Sequence, residues 1–283
     1  LGGLIAAAFL FFIKKKIIYQ TDMIQSAKKF VPLLIAIMAW AFSTYLALKG
    51  LKRIWKIDFQ MASMIGFGVA IAIYFMVKPF IGKKSHGLGN TRDSVNNLFT
   101  VPLIFAAALL SFAHGANDVA NAVGPLAAIS DAIQSTGAGM TGEAPIPLWV
   151  MMIGALGISL GLLLFGPKII KAVGAEITEL DKMRAFCVAM AAAITVIIAS
   201  QLGLPVSSTH IAIGGIFGVG FLREYLKTSY ANQLQDIISE HVGDEKVRLQ
   251  TFLENFQTAS VEEMENMIKQ AKRQKDELGL KKS

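Results

Sequence analysis

SFAHGANDVANAVGP, residues 111–125, inserts polar side chains into an otherwise apolar segment of the chain. If this stretch is helical, spacings of three and four residues align its polar side chains on one face. The side chains on that face are those of Ser111, His114, Asn117, Asp118 and Asn121. The flanking residues are apolar enough to lie in a bilayer, where a carboxylate without a partner costs several kcal/mol. Asp118 is therefore a candidate functional residue that faces a partner, a cavity or a cation.

The same stretch predicts a broken helix. Gly115 lacks a side chain, and Gly124 precedes Pro125, whose ring removes a backbone donor. Broken helices are tolerated at membrane depth where the freed backbone lines a binding site. We therefore expect the helix to break next to its polar face.

The composition indicates an all-α, polytopic membrane protein. Of the 283 residues, 54% are hydrophobic and 17% are charged, and the apolar residues form long runs separated by charged clusters. A helix rising about 1.5 Å per residue crosses the hydrocarbon core of roughly 30 Å with about 20 such residues. The net charge of +7 does not indicate nucleic-acid binding, because the basic residues lie at the ends of apolar runs.

The apolar runs predict several membrane segments. They are residues 1–13, 31–48, 61–77, 100–129 and 149–165, followed by a pair at 185–199 and 211–222. The loop at 82–97 is basic and the loop at 130–147 has no Lys or Arg, which places the first inside and the second outside. The basic loop at 49–58 disagrees with this orientation. Because the chain begins within an apolar run, we expect it to be part of a longer protein.

A second polar stretch, SQLGLPVSSTH at residues 200–210, lies between two apolar runs that are short for full spans. Basic residues mark both outer ends, which favours a re-entrant helical hairpin with its tip near the bilayer midplane. Gly203 and Pro205 would form the turn, and Ser207 or Ser208 would cap the outgoing helix. The N-terminus of that helix presents unpaired N–H groups and a partial positive charge, which suit an oxyanion such as phosphate.

The composition changes towards the end of the chain. Residues 1–227 form the predicted transmembrane domain, whereas residues 228–283 are polar and charged. The second part is expected to form helices of a cytoplasmic loop or tail. Within it, Ser260 and Glu263 fit a capping box at the start of a final helix.

GANDVANA at residues 115–122 and PVSSTH at residues 205–210 together resemble the second half of the inorganic phosphate transporter family, the PiT-type permeases. The similarity covers roughly residues 100–223. It implies an inverted-repeat transporter that carries one copy of each motif in each half. This chain holds one copy of each motif, in the second repeat, which begins at about residue 100. The resemblance also implies a protein of the plasma (inner) membrane that needs no cofactor and is not an enzyme, and it is compatible with a homodimer.

For this chain the resemblance implies symport of inorganic phosphate with a coupling cation, sodium or a proton. By similarity, the cation would be coordinated by Asn117, Asp118 and Asn121. Phosphate would be held by Ser207, Ser208 and Thr209, with Gln201 nearby. Oxygen ligands suit a hard cation such as sodium, and Asp118 supplies the negative charge. Each bound ion would raise the affinity for the other, which is a direct route to coupling.

Two other functions fit part of the pattern. The same hydroxyl and N–H donors could accept another oxyanion, such as sulfate, in a permease or a channel. An intramembrane hydrolase using Ser208, His210 and Asp118 is disfavoured, because Ser208 and His210 are two residues apart on a helix and do not face each other. His114 and His210 could bind a metal or act in catalysis, but neutral structural side chains that bond to backbone carbonyls are the preferred interpretation.

Overall fold

A computed structural model of the chain describes residues 1–50, 58–134, 146–172, 180–240 and 251. Two compact units divide the chain, Leu1–Val219 and Gly220–Ser283. The predicted loops at 49–58 and 130–147 lie largely outside the described residues. The predicted tail helices beyond residue 240, including the capping box, lie outside them as well, apart from residue 251.

In the described ranges, all regular structure is helical, which confirms the predicted fold class. The α-helices are α1 (Gly2–Ile13), α2 (Met23–Gly50), α3 (Phe59–Lys84), α4 (Arg92–Leu98), α5 (Thr100–Gln134), α6 (Leu148–Lys171), α7 (Lys182–Gln201) and α8 (Ser208–Glu240), and a π-helical turn (Lys14–Ile18) follows α1. Among them, α2, α3, α5, α6 and α7 are long and apolar enough to cross a membrane. The chain is therefore an integral membrane protein with several spans.

The helix at the centre of the first unit is α7. Over the most apolar 18 residues of α7, 72% are buried, whereas only 6% are buried over the most apolar 18 residues of α6. Both α1 and α5 pack against α7. Small side chains at Ala191, Ala192 and Ala193 let neighbouring helices approach closely. Near the start of α7, the ring of Phe186 packs against that of Phe99, the residue just before α5, with centroids 5.5 Å apart. This contact holds the start of α5 beside the start of α7.

Polar contacts attach the start of α7 to the short helix α4. The Asp181 carboxylate caps α7 by accepting from the Arg184 N–H at 2.8 Å, and its second oxygen lies 3.0 Å from Nη2 of Arg92. The Asn96 side chain accepts from the N–H of Met183 at 3.0 Å. The two bonds to N–H groups pair backbone donors that have no partner within the first turn of α7, and they fix where that helix begins.

A turn joins α7 and α8 where the sequence predicted one. Gly203 in the turn has a φ of +69°, which a residue without Cβ adopts at little cost. Ser207 caps α8, as the sequence predicted, because its Oγ accepts from the His210 N–H at 3.3 Å. The expectation that the helix before the turn is too short for a full span was wrong, because α7 includes a polar first turn and its 20 residues are enough to cross a membrane. The re-entrant geometry stays a prediction.

The predicted helix break is absent. Helix α5 runs without interruption from Thr100 to Gln134, through Gly115 and through Pro125. Pro125 removes one backbone hydrogen bond and Gly115 costs about 1 kcal/mol relative to Ala, and the packing of α5 against its neighbours outweighs both. The polar face is therefore displayed on one continuous helix.

Glycines allow α1 to approach α8 closely. A Cβ built on Gly3 would lie 2.7 Å from the carbonyl oxygen of Gly214, and one on Gly218 would overlap the backbone of Gly3. The atoms in the way belong to the backbone, which cannot rotate aside as a side chain can. Only glycine therefore fits at these crossing points.

Gly218→Ala is expected to destabilise the chain by about 1–3 kcal/mol, the usual cost of overpacking. The matched control is Gly214→Ala on the same helix, where a Cβ meets nothing within 4 Å. That control should be neutral or stabilise the helix by up to about 1 kcal/mol. Thermal unfolding of the whole protein in detergent compares the two, and equal midpoints would contradict the close packing of α1 on α8.

Candidate functional site

The two sequence motifs meet in the fold. Asp118, in the middle of α5, accepts a hydrogen bond at Oδ2 from the Ser208 hydroxyl at 2.9 Å. Ser208 is the first residue of α8 and its side chain is buried. The residue predicted to bind the cation and a residue predicted to bind phosphate are thus in direct contact, although 90 positions separate them in the chain.

Asn117 ties α5 to the turn before α8. Its Nδ2 donates to the Val206 carbonyl at 2.8 Å and to Oδ1 of Asp118 at 3.0 Å. Its Oδ1 accepts from the Ser200 hydroxyl at the end of α7, at 3.4 Å. Asn121, one turn further along α5, donates to the same Val206 carbonyl at 3.3 Å. All three residues predicted as cation ligands therefore lie at one point of contact between α5 and the hairpin.

His114 also belongs to this cluster, which corrects the sequence interpretation. Its Nδ1 hydrogen-bonds to Oγ of Ser208 and lies 3.1 Å from Oδ2 of Asp118. The carbonyl partner expected for both histidines was wrong at Nδ1, since Nδ1 of His210 lies 2.8 Å from Oγ of Ser207. The signal available in the sequence was the four-residue spacing between His114 and Asp118, which places them one turn apart.

Three residues predicted to bind phosphate lie at the surface of the turn. Ser207 and Thr209 are exposed at the start of α8, and Gln201 is exposed at the end of α7. In the described part of the chain, no hydrogen bond connects Gln201 or Thr209 to Asp118 or Asn117. At the hairpin, the buried hydroxyl of Ser208 therefore faces the Asp118 carboxylate, whereas the hydroxyls of Ser207 and Thr209 are exposed.

Both oxygens of the Asp118 carboxylate accept hydrogen bonds. Oδ1 accepts from the Asn117 amide, and Oδ2 accepts from the Ser208 hydroxyl. The remaining polar atoms nearby, Oδ1 of Asn117 and the Val206 carbonyl, are oxygens, the ligand type that a hard cation prefers. Among the described residues, no group of three His, Cys, Asp or Glu side chains converges on one point.

The cluster contains Ser, His and Asp but lacks the geometry of a hydrolytic triad. In a triad, one ring nitrogen faces the serine and the other faces the carboxylate. Here Nδ1 of His114 faces both, and the Ser208 proton already goes to Asp118. The histidine therefore has no nitrogen placed to remove the serine proton in the manner of a general base.

A model of the phosphate transporter family matches residues 1–257 of the chain. A protein of Helicobacter pylori named "Putative phosphate permease" is 51% identical over 281 residues, covering 98% of this chain and 53% of that protein. A protein of Haemophilus influenzae with the same name is 33% identical over 232 residues, covering 79% of this chain and 54% of that protein. The chain thus spans about half the length of the curated relatives that it matches.

A solved structure described as "The sodium-dependent phosphate transporter" has a similar fold. It superposes with a TM-score of 0.69 at 33% sequence identity, and the match covers 78% of this chain and 54% of that chain. A protein of Arabidopsis thaliana named "Inorganic phosphate transporter 2-1, chloroplastic" is 40% identical over 151 residues, covering 53% of this chain and 26% of that protein. These names describe transporters and permeases, and none of them describes an enzyme.

Proposed function

The chain belongs to the phosphate transporter family, and from this premise we propose that the whole protein carries inorganic phosphate across a membrane together with a coupling cation. The hydrogen bond between Ser208 and Asp118 is the observation that carries the proposal, because it joins the two motifs. The plasma (inner) membrane is the proposed location. We propose that the chain holds one half of an inverted repeat, and with it half of the transport machinery.

We assign the cation to the carboxylate of Asp118. Oδ1 of Asn117 and Oδ1 of Asn121 would complete a set of oxygen ligands, because both side chains belong to the cluster of hydrogen bonds around the hairpin turn. Sodium is the proposed ion, supported by the similarity to a transporter whose description is sodium-dependent. A proton carried by Asp118 is the other candidate, and uptake under separate sodium and proton gradients distinguishes the two.

Phosphate is assigned to the surface of the hairpin turn. Ser207 and Thr209 expose hydroxyls there, of which that of Ser207 also contacts Nδ1 of His210. The N–H groups of Ser208 and Thr209, in the first turn of α8, lie beside them. Gln201 lies at the other side of the turn, at the end of α7. Ser208 donates its only hydroxyl hydrogen in the bond to Asp118. We therefore assign Ser208 the role of joining the anion site to the carboxylate.

This arrangement provides a physical basis for coupling. A cation at Asp118 would neutralise the carboxylate, which otherwise repels a phosphate bound at the adjacent turn. Each ligand would then raise the affinity for the other by the same factor, because binding free energies are reciprocal. A coupling of about 1–3 kcal/mol, or about 5–150-fold in affinity, is typical of linked sites.

The proposal predicts that sodium strengthens phosphate binding by the purified whole protein. Labelled phosphate binding in detergent should tighten by about 5–150-fold as sodium replaces potassium at constant ionic strength. The reciprocal titration, sodium binding with and without phosphate, should give the same factor. Sodium-independent phosphate binding would contradict sodium coupling. Equal competition by sulfate would contradict phosphate as the specific substrate and favour a broader oxyanion permease.

A further inference from the structure

We infer that His114 is a positioning residue of the coupling site, which acts by holding the Asp118 carboxylate and the Ser208 hydroxyl in place. This inference rests on the proposed function, since it concerns how the cation ligand is oriented. His114 lies outside the residues that the sequence assigned to either ion. Its contacts with one residue of each motif are what distinguish it from a side chain that only fills space.

The position of His114 follows from helix geometry. It precedes Asp118 by four residues on α5, so both side chains project from the same face, one turn apart. Nδ1 of His114 lies 3.1 Å from Oδ2 of Asp118 and hydrogen-bonds to Oγ of Ser208. A single ring nitrogen therefore contacts both residues that join α5 to α8.

The pattern of donors and acceptors determines which atom carries the proton. Ser208 has one hydroxyl proton, and at 2.9 Å that proton is directed to Oδ2 of Asp118. Oγ of Ser208 must then accept from its other neighbour, Nδ1 of His114. If Nδ1 of His114 carried no hydrogen, its lone pair would face Oδ2 of Asp118, 3.1 Å from that nitrogen, and the two would repel each other. Nδ1 of His114 consequently carries a proton and donates.

The shared donor fixes the carboxylate from a second side. Asn117 holds Oδ1 of Asp118, while His114 and Ser208 hold Oδ2, so rotation of the carboxylate would break several hydrogen bonds at once. A cation binds most tightly to ligands that are already oriented, and residues that orient a ligand typically contribute about 10–100-fold in metal affinity. The inferred effect of His114 is therefore on cation affinity, with little effect on phosphate affinity once the cation is saturating.

Amide substitutions test the position of the donor within the side chain. In His114→Asn, the amide nitrogen stands at the same distance from the backbone as Nδ1, whereas in His114→Gln it stands near the position of Nε2. His114→Leu removes the donor altogether. Phosphate uptake by the whole protein in proteoliposomes is measured against sodium concentration for each variant. Thermal unfolding in detergent checks that all three are folded.

The sodium concentration for half-maximal uptake should rise about 10–100-fold in His114→Leu and in His114→Gln, and stay near the wild-type value in His114→Asn. The phosphate KM at saturating sodium should change little in all three. Equal behaviour of the Asn and Gln variants, or an unchanged sodium requirement in the Leu variant, would overturn the inference. If the Leu variant does not fold, comparison of the Asn and Gln variants still tests the inference about His114. Sodium-independent uptake by the wild-type protein would instead overturn sodium coupling itself, and this inference with it.

Discussion

Asp118→Asn is expected to abolish sodium-driven phosphate uptake while the protein remains folded. The amide keeps the size of the carboxylate and one oxygen that can accept from Ser208, so the contact between α5 and α8 can persist. The negative charge is lost, however, and two unit charges about 4 Å apart attract by about 4 kcal/mol at an effective dielectric constant of about 20. That is roughly a thousandfold in cation affinity. Uptake into proteoliposomes should fall to the level of protein-free vesicles.

The control for this variant is Asp131→Asn, which removes a carboxylate near the C-terminal end of the same helix. It should retain sodium-driven uptake, because it lies more than three helical turns from Asp118. Size-exclusion chromatography and thermal unfolding of both variants separate a loss of binding from a loss of fold. Normal sodium-driven uptake by Asp118→Asn would refute the assignment of the cation to this residue.

A double variant, Ser207→Ala with Thr209→Val, should weaken phosphate binding strongly. It removes the two exposed hydroxyls at the start of α8, while Val keeps the shape of Thr. A hydrogen bond to a charged group contributes about 1.5–3 kcal/mol, so each lost bond should raise the phosphate KM by about 10–150-fold. The KM is measured from uptake at saturating sodium.

The matched control is Ser207→Thr with Thr209→Ser, which changes both side chains and keeps both hydroxyls. Its phosphate KM should remain close to that of the wild type. Because Ser207 also caps α8, thermal unfolding is needed to measure the loss of the cap, about 1 kcal/mol, separately. A phosphate KM that is the same in the Ala/Val variant as in the wild type would remove these hydroxyls from the proposed anion site.

The sequence was sufficient to predict the face that carries Asp118 and the hairpin that carries Ser208, because both depend on local rules. Spacings of three and four residues define a helix face, and Gly203 followed by Pro205 defines a turn. The helix break was predicted wrongly for a related reason. Gly115 and Pro125 lower the stability of a helix, but whether α5 breaks depends on its packing against other helices, which local rules do not describe.

The full contents of the site could not be predicted from local patterns. The Val206 carbonyl, which accepts from Asn117 and from Asn121, is a backbone group that any residue type would supply. His114 was visible as a neighbour of Asp118 on α5, yet its contact with Ser208 joins residues that are 94 positions apart. Such a contact depends on how α5 packs against the hairpin. Tertiary structure therefore changed the interpretation of His114 more than that of any residue in the two motifs.

Phosphate accumulation under imposed gradients tests the central claim most directly. Proteoliposomes containing the whole protein are given labelled phosphate with an inward sodium gradient, an inward proton gradient, or neither. The proposed function predicts uphill accumulation with the sodium gradient and only equilibration without it. Accumulation driven by protons alone would keep phosphate as the substrate and make Asp118 the candidate proton carrier. No accumulation under any gradient, with a folded protein, would contradict coupled phosphate transport.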